Sequence, residues 1–64
     1  SEYEIQLFED GYYVIMNMSR FKFFIKKFPF IYKGGYEDED LKFKEAKEKA
    51  KFQAEKFCNL LNKE

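Results

Sequence analysis

Few side chains in this sequence are of the types that carry out catalysis, and their spacing does not bring them together. The single cysteine, Cys58, has no histidine in the chain to act as its base or as a second metal ligand. The acidic run at residues 37–40 is contiguous and lacks the spaced oxygen ligands and central glycine of a calcium loop. Gly34 and Gly35 are not followed by the lysine of a phosphate-binding loop and predict a turn. The sequence therefore favours a protein that is not an enzyme, with no metal, no cofactor and no small-molecule substrate.

A second kind of chemistry, the binding of nucleic acid, is suggested by residues 20–33, where basic residues alternate with aromatic ones. Sheets that bind nucleic acid stack rings on bases and hold phosphates with lysines. A small three-stranded sheet backed by one C-terminal helix also resembles the AP2/integrase arm-type DNA-binding architecture, in the order of its elements. The candidate contact residues of this hypothesis, taken from the basic residues of the run, are Arg20, Lys22, Lys26, Lys27 and Lys33. Against it, the chain has twelve basic and twelve acidic residues, whereas such domains are usually basic. A strand with Phe inward and Lys outward explains the same pattern, so nucleic acid is the second choice.

Three strands are predicted to position these side chains. Residues 3–7 alternate apolar and polar, residues 12–18 are apolar on both faces, and residues 21–28 form a third run. Asp10 and Gly11 predict a hairpin, because both residues accept positive φ. Pro29 predicts that the third strand lies at an edge or is interrupted, with residues 30–33 as a continuation past a kink. Strict alternation places Phe24 and Phe28 on one face and Phe21, Phe23 and Ile25 on the other, and because both faces are then apolar the sequence leaves the register of this strand open.

A long amphipathic helix follows the strands. Its predicted inner stripe recurs at helical spacing and consists of Phe43, Ala46, Ala50, Ala54, Phe57 and Leu61. Asp38 or Asp40 is a candidate N-cap; alternatively, residues 41–43 are a short fourth strand and the helix starts near Lys44. The prediction is one α+β domain over residues 1–64, of βββα order: a three-stranded antiparallel meander, with four strands as the alternative. The sheet covers about residues 2–33, an acidic turn residues 34–40 and the helix about residues 41–62.

Length and composition limit how such a domain can be stabilised. A chain of 64 residues buries only about 60% of its unfolded surface. One cysteine excludes an internal disulfide, so fourteen aromatic residues or self-association must supply the stability. A lone cysteine fits a reducing compartment, and no apolar run approaches a membrane span, which together predict a cytoplasmic protein. The bias towards Lys, Phe, Tyr, Ile and Asn is typical of AT-rich genomes and favours a low-GC bacterium or a phage.

An uncovered apolar surface is the best functional prediction. One helix covers one face of a sheet, and the second and third predicted strands are apolar on both faces. Phe52 lies opposite the inner stripe of the helix, amid charged residues, and is a candidate anchor for a partner. The hypothesis is a protein-interaction module, a homodimer, of the kind that phages and mobile elements use to bind and block a host factor. Its predicted interface residues are Phe52, Phe24, Phe28 and Phe30.

Overall fold

The computed structural model describes residues 2–31 and 39–63, with the side chains of residues 39 and 40 outside the description. The described elements confirm the α+β prediction: an antiparallel meander in the order β1-β2-β3 is followed by one helix. Their bounds are β1 Tyr3–Phe8, β2 Gly11–Met18, β3 Phe21–Pro29 and α1 Glu39–Asn62. Predictions on residues 32–38, including Lys33, the Gly34-Gly35 turn and Asp38 as N-cap, lie outside the described residues.

The first hairpin forms where it was predicted, for a different reason. Phe8 pairs with Gly11 around a loop of two residues, Glu9 and Asp10. Neither Asp10 nor Gly11 has positive φ, so the predicted basis of the turn is wrong. Glycine is needed at position 11 for space, since a Cβ built there would lie 2.5 Å from the Phe28 carbonyl oxygen and 2.8 Å from the Pro29 Cα. The small residue lets β3 lie close against the start of β2.

The second hairpin does contain a left-handed residue. Met18 pairs with Phe21 around Ser19 and Arg20, and Ser19 has a φ of 53°. Positive φ at the first loop residue alone is typical of a type II′ turn, whose twist suits a two-residue hairpin. Glycine is the residue that this position favours, so serine adopts a conformation that costs free energy.

A bulge in β3 breaks the strict alternation of faces along this strand. Val14 pairs with Lys26 while Ile15 pairs with Phe24, so Ile25 is an extra residue on β3 without a partner of its own. Beyond an extra residue, the alternation of faces is reversed. Phe24 and Phe28, predicted on the same face, therefore lie on opposite faces. The strand itself ends at Pro29, at the sheet edge where a missing N–H is tolerated.

The helix is longer than predicted and begins at Glu39. Residues 41–43 are helical, so the alternative of a fourth strand there is wrong, and so is a helix start near Lys44. Asp40 lies inside the helix, which also excludes it as the N-cap. Five of the six residues of the predicted inner stripe are buried or half-buried, namely Ala46, Ala50, Ala54, Phe57 and Leu61, whereas Phe43 is 37% exposed. Alanine at three of these positions lets the helix axis approach the sheet.

The core lies between the helix and one face of the sheet. Val14 and Ala54 have no exposed surface, and Tyr12, Ala50 and Cys58 complete the buried cluster. Five half-buried residues from the strands and the helix, with Phe30 beyond β3, pack around it, namely Tyr3, Ile5, Phe28, Phe57 and Leu61. Asn62 fixes the helix end to β1 by accepting a hydrogen bond from the Tyr3 N–H (3.2 Å) and donating one to the Tyr3 carbonyl (3.0 Å).

Within the described residues, no helix is both long and apolar enough to cross a membrane. The helix carries charged residues throughout its length and packs against the sheet through one face, which includes the stripe and Cys58. The chain measures 45 × 22 × 11 Å along its principal axes, and its smallest dimension matches one layer of helix on one layer of sheet. The architecture is thus two layers deep.

Candidate functional site

The sheet face turned away from the helix is the candidate site, and we call it the open face. Cross-strand pairing and the alternation of side chains define it. Val14 and its cross-strand partners Ile5 and Lys26 lie on the face that the helix covers. The side chains that alternate with this row lie on the other face. The open face is formed by Glu4, Gln6 and Phe8 on β1, Tyr13, Ile15 and Asn17 on β2, and Lys22, Phe24 and Lys27 on β3.

Three rings form a cluster at the centre of the open face. The ring centroids of Phe8 and Tyr13 are 4.6 Å apart, those of Tyr13 and Phe24 are 5.3 Å apart, and those of Phe8 and Phe24 are 5.9 Å apart. All three pairs meet edge to face, the geometry that aromatic pairs favour. Ile15, the cross-strand partner of Phe24, is only 2% exposed although the helix lies on the other side of the sheet. The open face therefore has a small apolar core of its own.

Two ion pairs border the ring cluster. The Lys27 Nζ donates to Asp10 Oδ2 at 2.6 Å, and the Tyr13 hydroxyl donates to the same carboxylate at 3.3 Å. The hydrogen bond from Lys27 is the main cause of a lowered pKa at Asp10, and the same bond raises the pKa of Lys27. The Lys27 Nζ also lies 5.7 Å from the centroid of the Tyr13 ring, within reach of a cation–π contact.

The second pair lies nearer the other end of the strands. The Lys22 Nζ is 3.5 Å from Glu4 Oε1, with both side chains substantially exposed. A hydrogen bond from Asn17 and the nearby charge of Lys22 lower the pKa of Glu4. In both pairs the acid comes from β1 or the loop that follows it, and the base comes from β3. Each acid is thus within ion-pair distance of a base of the same chain, and the open face carries two neutral pairs beside an apolar centre.

The predicted interface residues of the sheet are divided by the bulge. Phe24 lies on the open face and is 65% exposed. Phe28 and Phe30 were predicted to lie with Phe24 on the sheet face that the helix leaves uncovered, and that placement is wrong. Phe28 packs against Phe57 of the helix with ring centroids 5.7 Å apart, and Phe30 lies 5.7 Å from Tyr12 in the core cluster. Both rings are half-buried and support the fold.

The predicted exposure of Phe52 is confirmed, since 66% of the residue is accessible on the outer side of the helix. Phe52 and Phe24 are equally exposed but lie on opposite sides of the molecule, because the helix covers the other face of the sheet. The ring contacts of the described residues include none from Phe52, whereas Phe24 belongs to a cluster. Whether Phe52 lies in an interface stays a prediction.

Two further apolar surfaces lie on the helix side of the sheet. A groove between β3 and the helix is floored by Phe28, Phe57 and Leu60 and edged by two lysines. At the other end, Phe21 and Phe23 lie near the second hairpin with ring centroids 6.3 Å apart. Neither surface joins a ring cluster to matched opposite charges, as the open face does.

The basic residues predicted to contact nucleic acid do not share a face. Lys22 and Lys27 lie on the open face, each within salt-bridge distance of an acid. Lys26 lies on the helix side, with its Nζ 5.6 Å from the Phe28 ring centroid. Arg20 is exposed in the second hairpin loop, and Lys33 is outside the described residues. The structure therefore does not present the single basic face that the nucleic-acid hypothesis assumes.

Cys58 is the one thiol, and its surroundings are those of a core residue. It is buried, and burial is the main cause of its raised pKa, which disfavours the thiolate. Its Sγ accepts a hydrogen bond from the Asn62 amide at 3.5 Å, which lowers the pKa by less. In the described part of the chain, no group of three His, Cys, Asp or Glu residues is placed to hold a metal ion.

Sequence reasoning missed Phe8, Tyr13 and Ile15 as members of the candidate site. Once the loop is reduced to Glu9 and Asp10, the register brings these three residues onto one face. The apolar run on both faces of β2 was the available signal. Comparison with protein-family models, with curated proteins and with solved structures finds no match to this chain. The function is therefore argued from the geometry of the site.

Proposed function

We propose that this chain is a non-enzymatic protein-interaction module and that its contact surface is the open face. The observation that carries the proposal is the cluster of Phe8, Tyr13 and Phe24 over the buried Ile15, on the side that the helix leaves uncovered. Hot spots of protein interfaces are enriched in aromatic residues grouped at the centre of a patch. Edge-to-face packing also holds the three rings in place before binding, which lowers the entropy lost on association.

The border of the open face supports a protein partner over nucleic acid. The two lysines near the rings are each paired with a carboxylate, so the face carries balanced charge. A surface that binds phosphates by counterion release needs an excess of free bases. Opposite charges around an apolar centre instead match the polar rim of a protein interface, where they select and orient the partner.

Matched capture experiments test the proposal. Three tagged baits are compared: the natural chain, Phe24→Asp and Phe52→Asp. Each bait is incubated with a nuclease-treated lysate of the organism that encodes the chain, and an untagged copy of the same bait is added to the lysate. Phe24 and Phe52 have almost equal exposure, so the two variants differ in the surface they alter and not in the apolar area they remove. We expect a protein that the natural chain and Phe52→Asp retain and that Phe24→Asp loses.

Other outcomes contradict the proposal in identifiable ways. Loss of the captured protein with Phe52→Asp alone would move the contact surface to the helix. A gel shift with mixed DNA and RNA that weakens as salt rises, and that is abolished by Lys22→Gln with Lys27→Gln, would favour the nucleic-acid hypothesis. If neither an untagged copy nor another protein is captured in a way that depends on Phe24, the open face is not an interface.

A further inference from the structure

We infer that the outer edge of β1 binds an extended strand of another protein, and that a lysine or arginine of that strand enters a pocket between β1 and the helix. This surface is separate from the open face, so the inference goes beyond the proposed function. Strand addition takes its affinity from main-chain hydrogen bonds and its specificity from side-chain pockets beside the edge. Three features support it: the free backbone of β1, the contrast between the two sheet edges, and the chemistry of the pocket.

The hydrogen bonds of the sheet show which backbone groups of β1 point outward. The Asn17 N–H donates to the Glu2 carbonyl at 2.7 Å, and bonded pairs alternate with unbonded pairs along an antiparallel ladder. The register therefore bonds every second residue of β1, counted from Glu2, to β2. The N–H and C=O groups of the other set point out of the sheet, and these residues are Tyr3, Ile5 and Leu7.

The helix already satisfies the outward groups of one of these three residues. The Asn62 side chain accepts a hydrogen bond from the Tyr3 N–H and donates one to the Tyr3 carbonyl, as a residue of a neighbouring strand would. The hydrogen bonds of the described residues include none to the outward groups of Ile5 or Leu7. These two residues are thus left to water or to a further strand, and Asn62 marks where such a strand must end.

The two edges of the sheet differ in how they are protected. β3 carries Pro29, a bulge at Ile25 and three lysines, and natural sheets use such features against unwanted strand pairing. β1 has no proline and no lysine, and its register with β2 is unbroken. The sheet therefore leaves β1 as the edge that accepts a further strand.

A pocket beside this edge lies where a side chain of the added strand would point. It has a volume of about 190 Å³ and is lined by Ile5, Glu55, Cys58 and Asn59. Residues opposite each other in a sheet share a face, so a residue paired with Ile5 extends toward the helix and this pocket. Pockets that hold drug-sized ligands are larger, at ~300–1,000 Å³, so this one suits a single side chain.

The chemistry of the pocket fits a basic side chain. Ile5 and Cys58 supply apolar wall, and Glu55 supplies an exposed carboxylate. Glu55 takes part in neither of the two ion pairs of the described residues, although Lys51 lies one turn before it. Lysine and arginine lay their aliphatic stems on apolar surface and keep the charge at the rim. A basic residue paired with Ile5 would therefore match both the wall and the carboxylate.

A second copy of the chain does not supply this side chain. β1 contains no basic residue. Two β1 strands paired antiparallel through their free groups would place Leu7 of one copy opposite Ile5 of the other, which leaves Glu55 without a counter-charge. The occupant that matches the edge and the pocket together is a basic strand of another protein.

Amide hydrogen exchange followed by NMR tests the edge directly. In the free chain, the amides of Ile5 and Leu7 should exchange faster than those of Glu4 and Gln6, which are bonded to β2. Binding peptides are then selected on the immobilised natural chain from a phage-displayed library of short random sequences. We expect enriched peptides to carry a lysine or arginine among β-branched and aromatic residues, and to slow exchange at Ile5 and Leu7. No enriched peptide, or no added protection at these two amides, would overturn the inference.

Three variants separate the backbone contacts from the pocket. Leu7→Pro removes an N–H that points out of the sheet, so the fold should persist while peptide binding is lost. Glu55→Gln should weaken binding about tenfold, through loss of a charged hydrogen-bond partner. Glu45→Gln makes the same change at an exposed helix position outside the pocket and should leave binding unchanged. Circular dichroism checks each fold, and if Leu7→Pro is unfolded, Glu55→Gln and the exchange data decide.

Other results would assign the edge or the peptide elsewhere. Binding that is unchanged in Glu55→Gln, or that persists in folded Leu7→Pro, would overturn the inference. Protection of Ile5 and Leu7 that rises with the concentration of the chain alone would give the edge to a second copy. Peptide binding that Phe24→Asp abolishes would place the peptide on the open face. Binding that Phe24→Asp leaves intact supports the edge, whatever the capture experiments show for the open face.

Discussion

Replacing Gly11 with alanine tests the close approach of β3 to the first hairpin, because two physical effects predict opposite signs. Gly11 has no positive φ, so alanine can adopt its backbone conformation. By restricting the unfolded chain, such a replacement normally stabilises a protein by about 0.4–1 kcal/mol. The added Cβ, however, would lie 2.5 Å from the Phe28 carbonyl oxygen and 2.8 Å from the Pro29 Cα. Both are backbone atoms, so the contact cannot be relieved by a rotamer change.

The magnitude follows from what must move. Relieving the contact separates the start of β2 from the end of β3, and overpacking of this kind costs about 1–3 kcal/mol. The nearby backbone hydrogen bond from the Phe30 N–H to the Asp10 carbonyl, 3.0 Å long, lies in the same region, and its loss adds about 1 kcal/mol. A net loss of about 2–3 kcal/mol is a large part of the roughly 3–10 kcal/mol expected for 64 residues.

Urea unfolding followed by circular dichroism measures this loss at one fixed protein concentration. With a slope of about 1 kcal/mol per molar urea for a small domain, the midpoint should fall by about 2 M or more. The slope itself should not change, since the same surface is exposed on unfolding. A midpoint equal to or above that of the natural chain would refute the close approach, because only the unfolded-state effect would then remain.

Three further predictions concern the second hairpin, the helix end and the first ion pair. Ser19→Gly should raise the free energy of unfolding by about 0.5–1 kcal/mol, because glycine adopts positive φ at little cost; an unchanged urea midpoint would contradict the turn assignment. Asn62→Ala removes two hydrogen bonds to the Tyr3 backbone and should cost about 1–2 kcal/mol, with faster amide exchange in the last helical turn; unchanged exchange would contradict it. For Asp10, whose folded pKa is lowered, the stabilisation is present above the unfolded carboxyl pKa and is lost as pH falls through the folded value. An NMR titration should show that pKa rising towards its ordinary value in Lys27→Gln, and no rise would show that Lys27 is not the cause.

The order of elements and the helix stripe could be predicted from the sequence, because both depend on periodicity. Alanines 46, 50 and 54 recur at the spacing of one helix face, and each is buried. The start of the helix could not be fixed, since residues 41–43 alternate apolar and charged side chains in a way that also suits a strand. The need for glycine at position 11 could not be predicted from the sequence either, because it depends on the distance to β3 and not on the local φ.

The candidate site was only partly predictable, and one residue accounts for most of the failure. Alternation read from sequence assumes that each residue of β3 has one partner on β2, and Ile25 has none. The bulge moves Phe28 to the helix side and leaves Phe24 with Tyr13 on the open face. The pairing of lysines with acids is a cross-strand effect that needs the register. By contrast, the exposure of Phe52 follows from helical phase alone and was predicted correctly.

The most direct measurement of the central claim uses the absence of tryptophan from the chain. Phe24→Trp places a single emitting indole on the open face, and Phe52→Trp places one at equal exposure on the outer helix surface. We predict that the emission of the first variant shifts to shorter wavelength when a protein captured by the natural chain is added, while that of the second does not change. A shift at position 52 alone, or no shift at position 24 when that protein is bound, would contradict the claim that the open face is the interface.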